Sequence, residues 1–504
     1  MAVDQTPLQL GIRQAGEKLR AQDFAAAKAL LTTLSARAPK IAQIWSMLGY
    51  VHASEKDYGK ALNFYYQSYL IDPENVPVIL SIAKLQKLLG FKEAHLRTLE
   101  TALKADPHDK PALQLYGEGK AEEEDPEAAA AAFSAILRVA PDDLNALYGL
   151  AFAHENMGDN GAAADLYGKI ITSQRGNEDK SAALGAACKI ASFPHQHIVH
   201  TEELEHLLDL AFNSSRRIKV MFARAAIHVR AGANHEAWEQ LLLANNAMRS
   251  EELARKALAE KASVLSHVRN LARQSEAAQD RQAIGGYPRP VFILGPSRSG
   301  KSLLEKMLAT NDSVRRSYEA DIVDKCLSQL AQELALTEPL TAWRLPERLK
   351  KPLSGIFGSE LKRVAGGRRF VTNTNPSYIE NVGLLSSISE DALFIFVSRN
   401  KQDQAFRIFE KLYARGNSYA YDMNSIFSYI DMYTELASQW TRLFPSRCLS
   451  VTYEALVTGD AEEIRRVAEF AGMEFTSRSI EIHSDAGCSV PFQEEIERLL
   501  HTSG

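Results

Sequence analysis

The stretch PVFILGPSRSGKSLLEKML, Pro290 to Leu308, decides how the rest of the chain is read. Val291, Phe292, Ile293 and Leu294 form a short apolar run of the kind that makes a buried parallel strand. Gly295 to Gly300 follow as a polar loop, and Lys301-Ser302 opens a helical pattern with Leu303, Leu304, Met307 and Leu308 on one face. Strand, glycine-bounded loop and helix together aim several backbone N–H groups and a helix N-terminus at one anion. Gly295 to Ser302 also fits G-x-x-x-x-G-K-S letter for letter, a spacing whose backbone N–H groups and lysine hold phosphate oxygens. Pro296, Ser297, Arg298, Ser299, Gly300, Lys301 and Ser302 are therefore the candidate anion-binding residues.

Downstream, the pattern alternates. SVRRSYEA (Ser313 to Ala320) reads as a short strand or turn ahead of a helix near Asp321 to Leu336. A second strand, Arg369 to Thr372, precedes the polar run NTNPSY, and ALFIFV (Ala392 to Val397) is a third, ending at Ser398 and Arg399. Helices between strands predict a parallel α/β sheet. Ligands on such sheets bind beyond the C-terminal strand ends, where both the loop and Arg399 are expected.

Upstream, the chain is Ala- and Leu-rich with helical periodicity to about residue 248. Pro39, Pro73, Pro107 and Pro141 recur every 34 residues, the tetratricopeptide (TPR) period. Trp45, Leu48 and Gly49, then Ala61, Tyr65 and Ser68, fall where two paired helices meet, and Gly117, Ala129, Phe133, Ala27, Ala163 and Tyr167 lie at equivalent offsets. The resemblance to TPR arrays implies about six to seven helix pairs over residues 1–249, the last ones irregular, and a groove that binds a protein or peptide. Residues 250–286 read as a charged linking helix, and a catalytic-type domain is expected over 287–504.

Composition narrows the class. The 504 residues are 45% hydrophobic and 24% charged with a formal net charge of −5, which predicts a globular protein without a general pull toward nucleic acid or anionic membrane. Four cysteines lie far apart without a C-x-x-C pair, which fits a reducing compartment and no zinc site. The N-terminus carries no signal-peptide pattern, and no apolar run approaches a membrane span. The expected location is cytoplasmic. His195, His197 and His200 cluster without the cysteine or carboxylate spacing of a metal site, so no metal is expected.

From about Arg289 to Ser477 the residues resemble the sulfotransferases that use 3′-phosphoadenosine 5′-phosphosulfate (PAPS), and most of all bacterial TPR–sulfotransferase fusions related to tyrosylprotein sulfotransferases. The resemblance rests on Arg298-Ser299-Gly300-x-Ser302-Leu303, on FIFVSRNKQDQAFRIF, and on NSYAYDM, Trp440 and VTYEALV after them. It implies an N-terminal all-α TPR superhelix followed by a three-layer α/β parallel-sheet, P-loop-like sulfotransferase domain. It further implies that the loop holds the 5′-phosphosulfate of PAPS, that Glu319 is the general base toward a hydroxyl-bearing acceptor, and that Arg399 grips the 3′-phosphate. Arg298 and Lys301 join Glu319 as candidate catalytic residues.

The chain departs from that pattern in four places. Lys301-Ser302 stands where the family has Thr-Thr or Thr-Ser, and Thr374 stands where fusions of this kind carry a lysine. Arg407 replaces a serine eight residues after Arg399, where it is a second candidate cofactor ligand, and the tail after Glu474 lacks the family's aromatic and basic stretch. Two other readings stay open: a degenerate sulfotransferase-fold scaffold, and a nucleoside-triphosphate-binding P-loop protein. The second lacks the aspartate that such proteins place at a neighbouring strand end to hold magnesium, because the strands here end in Thr372-Asn373 and Ser398-Arg399. Glu319 also has a plain role as a carboxylate at a helix N-terminus. Arg315, Arg316, Arg368 and Arg369 are basic pairs that either ring an anionic pocket or face solvent, and Tyr419 and Tyr421 either pack or line an acceptor cleft.

Overall fold

The computed structural model describes residues 7–122, 125–173, 181–191, 206–210, 216–274, 288–336, 340, 345–413 and 417–473. His195, His197, His200, Cys488 and the tail after Glu474 lie outside them. Contacts divide the chain into two compact units, residues 1–175 and 176–504.

The first unit consists of paired helices: α1 (Pro7–Arg20) with α2 (Phe24–Arg37), α3 (Ala42–Ser54) with α4 (Tyr58–Ile71), α5 (Val76–Leu88) with α6 (Lys92–Ala105), α7 (Lys110–Glu122) with α8 (Pro126–Val139), and α9 (Leu144–Met157) with α10 (Asn160–Ser173). The repeated prolines each follow the residue that caps the second helix of a pair, where a missing N–H and a fixed φ do no harm. Helix starts repeat as well. Asp23, Asp57, Asp125 and Asp159 each accept the N–H three residues on, and Asn75, Asp109 and Asp143 do the same for the partner helices. Each such cap satisfies one of the N–H groups that a helix start leaves without an intrahelical acceptor. Gly49 and Gly117 lie at the crossings because a Cβ there would come 2.9 Å from the Tyr65 ring and 2.8 Å from the Phe133 ring. Close approach of the helices demands the smallest residue at these two points.

The second unit holds a five-stranded, all-parallel sheet: β1 (Arg289–Leu294), β2 (Val314–Arg316), β3 (Phe370–Asn373), β4 (Leu393–Ser398) and β5 (Cys448–Thr452), in the order β2-β3-β1-β4-β5. Alternation along the strands feeds two cores. Val291, Ile293, Ile395 and Val397 face one, with Leu304, Met307 and Leu308 of the helix after the loop. Phe292, Leu294, Phe394 and Phe396 face the other, where Phe292 stacks on Phe394 at 5.6 Å.

That second core extends to helices that precede the sheet. After α11 (Ser181–Ala191), the helices α12 (Arg217–Ala231), α13 (Asn234–Met248) and α14 (Glu251–Gln274) supply Phe222, Trp238, Leu241, Val264 and Val268 to it. The buried Asn245 amide donates to the Phe409 carbonyl at 3.0 Å, Arg442 donates to the Ala272 carbonyl at 2.9 Å, and Arg269 forms a forked pair with Glu435. The helix read from sequence as a linker thus packs as part of the domain it precedes. Among the described residues, no helix is long and apolar enough to cross a membrane.

Candidate functional site

Every strand of a parallel sheet ends on one edge, so the segments after β1, β2, β3, β4 and β5 converge there. Following β1, the loop turns at Arg298, whose φ of 64° is in the left-handed region, and at Gly300, with φ 103°. Helix α15 (Lys301–Leu308) starts directly after. A Cβ on Gly300 would lie 2.5 Å from the Tyr453 ring, and one on Gly295 would lie 2.3 Å from the Ser299 Oγ and 2.6 Å from the Val397 carbonyl. The second clash is with strand backbone, which cannot yield cheaply. Gly295→Ala is therefore expected to cost about 1–3 kcal/mol, read as a lower denaturation midpoint; an unchanged midpoint would contradict this packing.

Other side chains pin the loop. Tyr413 donates its hydroxyl to Ser297 Oγ at 2.8 Å, and Gln404 donates to the Ser297 carbonyl at 3.1 Å. Burial pushes the Tyr413 phenol up to about 12, against the pull of Arg298, so it remains a protonated donor. Within the loop two polar groups are enclosed. Ser299 is fully buried, and its Oγ finds no hydrogen-bond partner among the described residues. Lys301 is 5% exposed, and its Nζ donates to the Pro296 carbonyl at 3.2 Å. Burial lowers the Lys301 pKa, against the opposing fields of Glu319 and Glu305. An orphan hydroxyl and a desolvated ammonium at a helix N-terminus suit an anionic ligand. Ser302 is exposed on the first turn of α15, and Arg298 is exposed at the loop tip.

Glu305, one turn along α15, is 1% exposed and paired with Arg316 at 3.2 Å and with Thr372 Oγ1 at 2.9 Å. Burial raises its pKa, with Arg316 working against the rise. Of the basic pairs, Arg316 thus serves this internal ion pair, and Arg368 bonds the Asp312 carbonyl.

Glu319 is exposed after β2, ahead of α16 (Ile322–Glu333), and its segment is held by the N-T-N run after β3. Asn373 donates to Ser317 Oγ at 3.1 Å and to the Ala320 carbonyl at 2.9 Å, and Asn375 donates to the Glu319 carbonyl at 3.2 Å. Thr374 is 2% exposed, and its N–H bonds the Tyr318 carbonyl at 2.6 Å. Where a leaving-group cation is expected from the resemblance, this chain has a clamp on the Glu319 segment.

Arg399 leaves β4 with its guanidinium 4.1 Å from the centre of the Tyr453 ring and donates Nη1 to the Arg298 carbonyl at 3.4 Å. It also pairs with Asp403 on α19 (Lys401–Phe409), which follows α17 (Glu347–Ala365) and α18 (Val382–Ile388). Asp403 lies 3.5 Å from Arg407 Nε as well, and Arg407 reaches Glu410 at 3.1 Å. The two arginines therefore stand in a charge-balanced row. Arg399 adjoins the loop, whereas Arg407 is tied to Asp403 on its own helix and to Glu410 at the helix end. Sequence reading missed Asp403, Gln404 and Tyr413, none of which matches a phosphate-loop spacing. Tyr419 and Tyr421 are 4% and 6% exposed, which makes them packing residues. Among the described residues, no group of three or more His, Cys, Asp or Glu side chains is arranged to hold a metal ion.

Comparison with known proteins gives the same two parts. Residues 290–477 match the sulfotransferase family, and residues 12–76 and 117–178 match the tetratricopeptide repeat. An uncharacterized protein of Aquifex aeolicus (strain VF5) is 24% identical over 209 residues, 39% of this chain and 28% of that protein. The chain thus spans little more than a quarter of the curated relative's length. Among solved structures, a tetratricopeptide repeat protein from Parabacteroides merdae is 16% identical with a TM-score of 0.35, covering 49% of this chain and 94% of its own. YrrB, described as a TPR protein with an unusual peptide-binding site, is 20% identical with a TM-score of 0.32, over 36% and 91%. The chain is a tetratricopeptide array joined to a domain of the sulfotransferase family.

Proposed function

We propose that the protein is a PAPS-dependent sulfotransferase that sulfates a hydroxyl of a protein, sugar or lipid, with the TPR array recruiting the acceptor or a protein partner. The observation that carries this reading is the loop from Gly295 to Ser302, with its unpartnered Ser299 hydroxyl and buried Lys301 at the start of α15. Those groups fit an anionic phosphosulfate. Lys301, Ser299 and the loop amides would hold it, with Pro296, Ser297, Gly300 and Ser302 shaping the bend. PAPS supplies the sulfuryl group when bound, and charge stabilisation with positioning accounts for most of the acceleration in such transfers. Arg298 would neutralise charge at the loop tip, and Glu319 would take the proton of the attacking hydroxyl. The buried cysteine thiols of Cys188, Cys326 and Cys448 support a cytoplasmic setting.

The charge-balanced row at Arg399, Asp403, Arg407 and Glu410 and the cation-free Thr374 favour a second reading, a scaffold that has lost turnover. Thermal unfolding with PAP (the desulfated product), PAPS and ATP, each with and without magnesium, tests both. A ligand at 100 times its Kd adds about 2.7 kcal/mol. A rise with PAP in the absence of metal is expected; a rise with Mg-ATP alone would support a nucleotide triphosphate site, and no rise with any nucleotide would support the scaffold. Arg399→Ala should weaken PAP binding about tenfold, in line with a charged hydrogen bond. Equal affinity would remove Arg399 from the cofactor site.

A further inference from the structure

α14 lies outside the stretch that matches the sulfotransferase family, yet it places a charge in the domain core. Lys261 is 8% exposed and forms an ion pair with Glu380 of the 3-10 turn Pro376–Asn381, which follows β3. Its Nζ lies 5.1 Å from the centre of the Tyr429 ring and 6.0 Å from that of Tyr433, both on α20 (Met423–Leu443). Tyr429 stacks on Tyr419 at 3.8 Å with the rings 8° apart. Tyr433, 2% exposed, donates its hydroxyl to the Pro376 carbonyl at 3.1 Å. The same phenol oxygen faces the Gly295 amide and feels the carboxylates of both Glu380 and Glu319. Lys261 thus lies over the ring of a buried tyrosine whose hydroxyl bonds the Pro376 carbonyl and faces the amide of Gly295, the first residue of the phosphate loop.

A desolvated ammonium needs its counter-charge, and aromatic faces beside it add attraction. Removing the ammonium leaves Glu380 without its partner and frees Tyr433 from the cation that lies over its ring. The segment from Pro376 and the start of the loop at Gly295 share that tyrosine, so they loosen together.

We propose that Lys261 is a positioning residue of the phosphate loop, acting through Glu380 and Tyr433, so that the helix before the family domain is a working part of the site. The proposal rests on the sulfotransferase reading only for its effect on PAP; its effect on the loop does not depend on any ligand. The test therefore has a ligand-free arm, hydrogen exchange of the Leu294–Ser302 amides in the full chain. Lys261→Met should speed that exchange about tenfold, the size of coupling that intermediate residues commonly transmit. Arg269→Ala, which removes the exposed α14 pair with Glu435, should leave it unchanged. The double variant Lys261→Met/Glu380→Gln should recover part of the protection, because the orphaned carboxylate is gone.

In the second arm, PAP affinity should fall for Lys261→Met about as far as loop protection does. If wild-type protein ignores PAP but the exchange pattern holds, the sulfotransferase reading fails and the positioning role stands. Unchanged loop exchange in Lys261→Met, or equal loosening by Arg269→Ala, overturns the positioning role whatever PAP does. Should Lys261→Met fail to fold, Lys261→Arg and Glu380→Gln are compared: the arginine should retain loop protection and the glutamine should lose it. Loss in neither variant overturns the proposal.

Discussion

Lys301→Met is expected to abolish the stabilisation that PAP confers while leaving the ligand-free protein as stable as the wild type or more so. The ammonium is desolvated, and the Pro296 carbonyl satisfies it only in part. Burial holds its pKa below the unfolded value, so folding penalises the protonated form. The wild type therefore gains stability as pH rises from the folded pKa toward the ordinary lysine range, and the methionine variant lacks that gain. An anion in the loop reverses the balance. It raises the pKa of Lys301, so PAP affinity should fall as pH rises through the alkaline range, and the variant should show no such fall. The loss in affinity should be about 10²- to 10³-fold, the scale set by one preorganised donor in an enclosed site. Calorimetric titration with PAP at several pH values checks all three statements, and unchanged binding by the variant would remove Lys301 from the site.

Glu319→Gln should lower transfer from labelled PAPS to a phenolic or peptide hydroxyl by about 10²- to 10⁴-fold, the usual range for a positioned base. PAP binding should survive, since the glutamine keeps the size of the side chain, and Asn375 grips the backbone carbonyl of this residue and not its carboxylate. Turnover at the wild-type rate would assign Glu319 to the N-terminal end of α16 alone. Loss of both binding and turnover would mean that the Asn373–Asn375 clamp had been disturbed, which a thermal scan would reveal.

Much of this architecture was legible in the sequence. Prolines 34 residues apart marked the helix pairs, and the run from Val291 to Ser302 announced strand, bend and helix. The caps at Asp23, Asp57, Asp125 and Asp159 share that period and could have been read from it. Other features had no such signal. The pairing of Arg399 with Asp403 is four residues apart on paper, but nothing local says that the same guanidinium also covers Tyr453 and the Arg298 carbonyl.

The chain's own letters determined two things: a repeating helical array, and a phosphate-type bend between a buried strand and a helix. Both are written in short-range terms, in φ preferences, caps and apolar spacing, which act over a few residues. The fold alone decided that Lys301 is stripped of water, that the Ser299 hydroxyl lacks a partner among the described residues, and that Lys261 meets Glu380 across 119 positions of chain. Those properties depend on which strands become neighbours in the order β2-β3-β1-β4-β5 and on which helices cover them. Solvent exclusion and the field at a charge are sums over everything nearby in space, and most of those neighbours are remote in sequence.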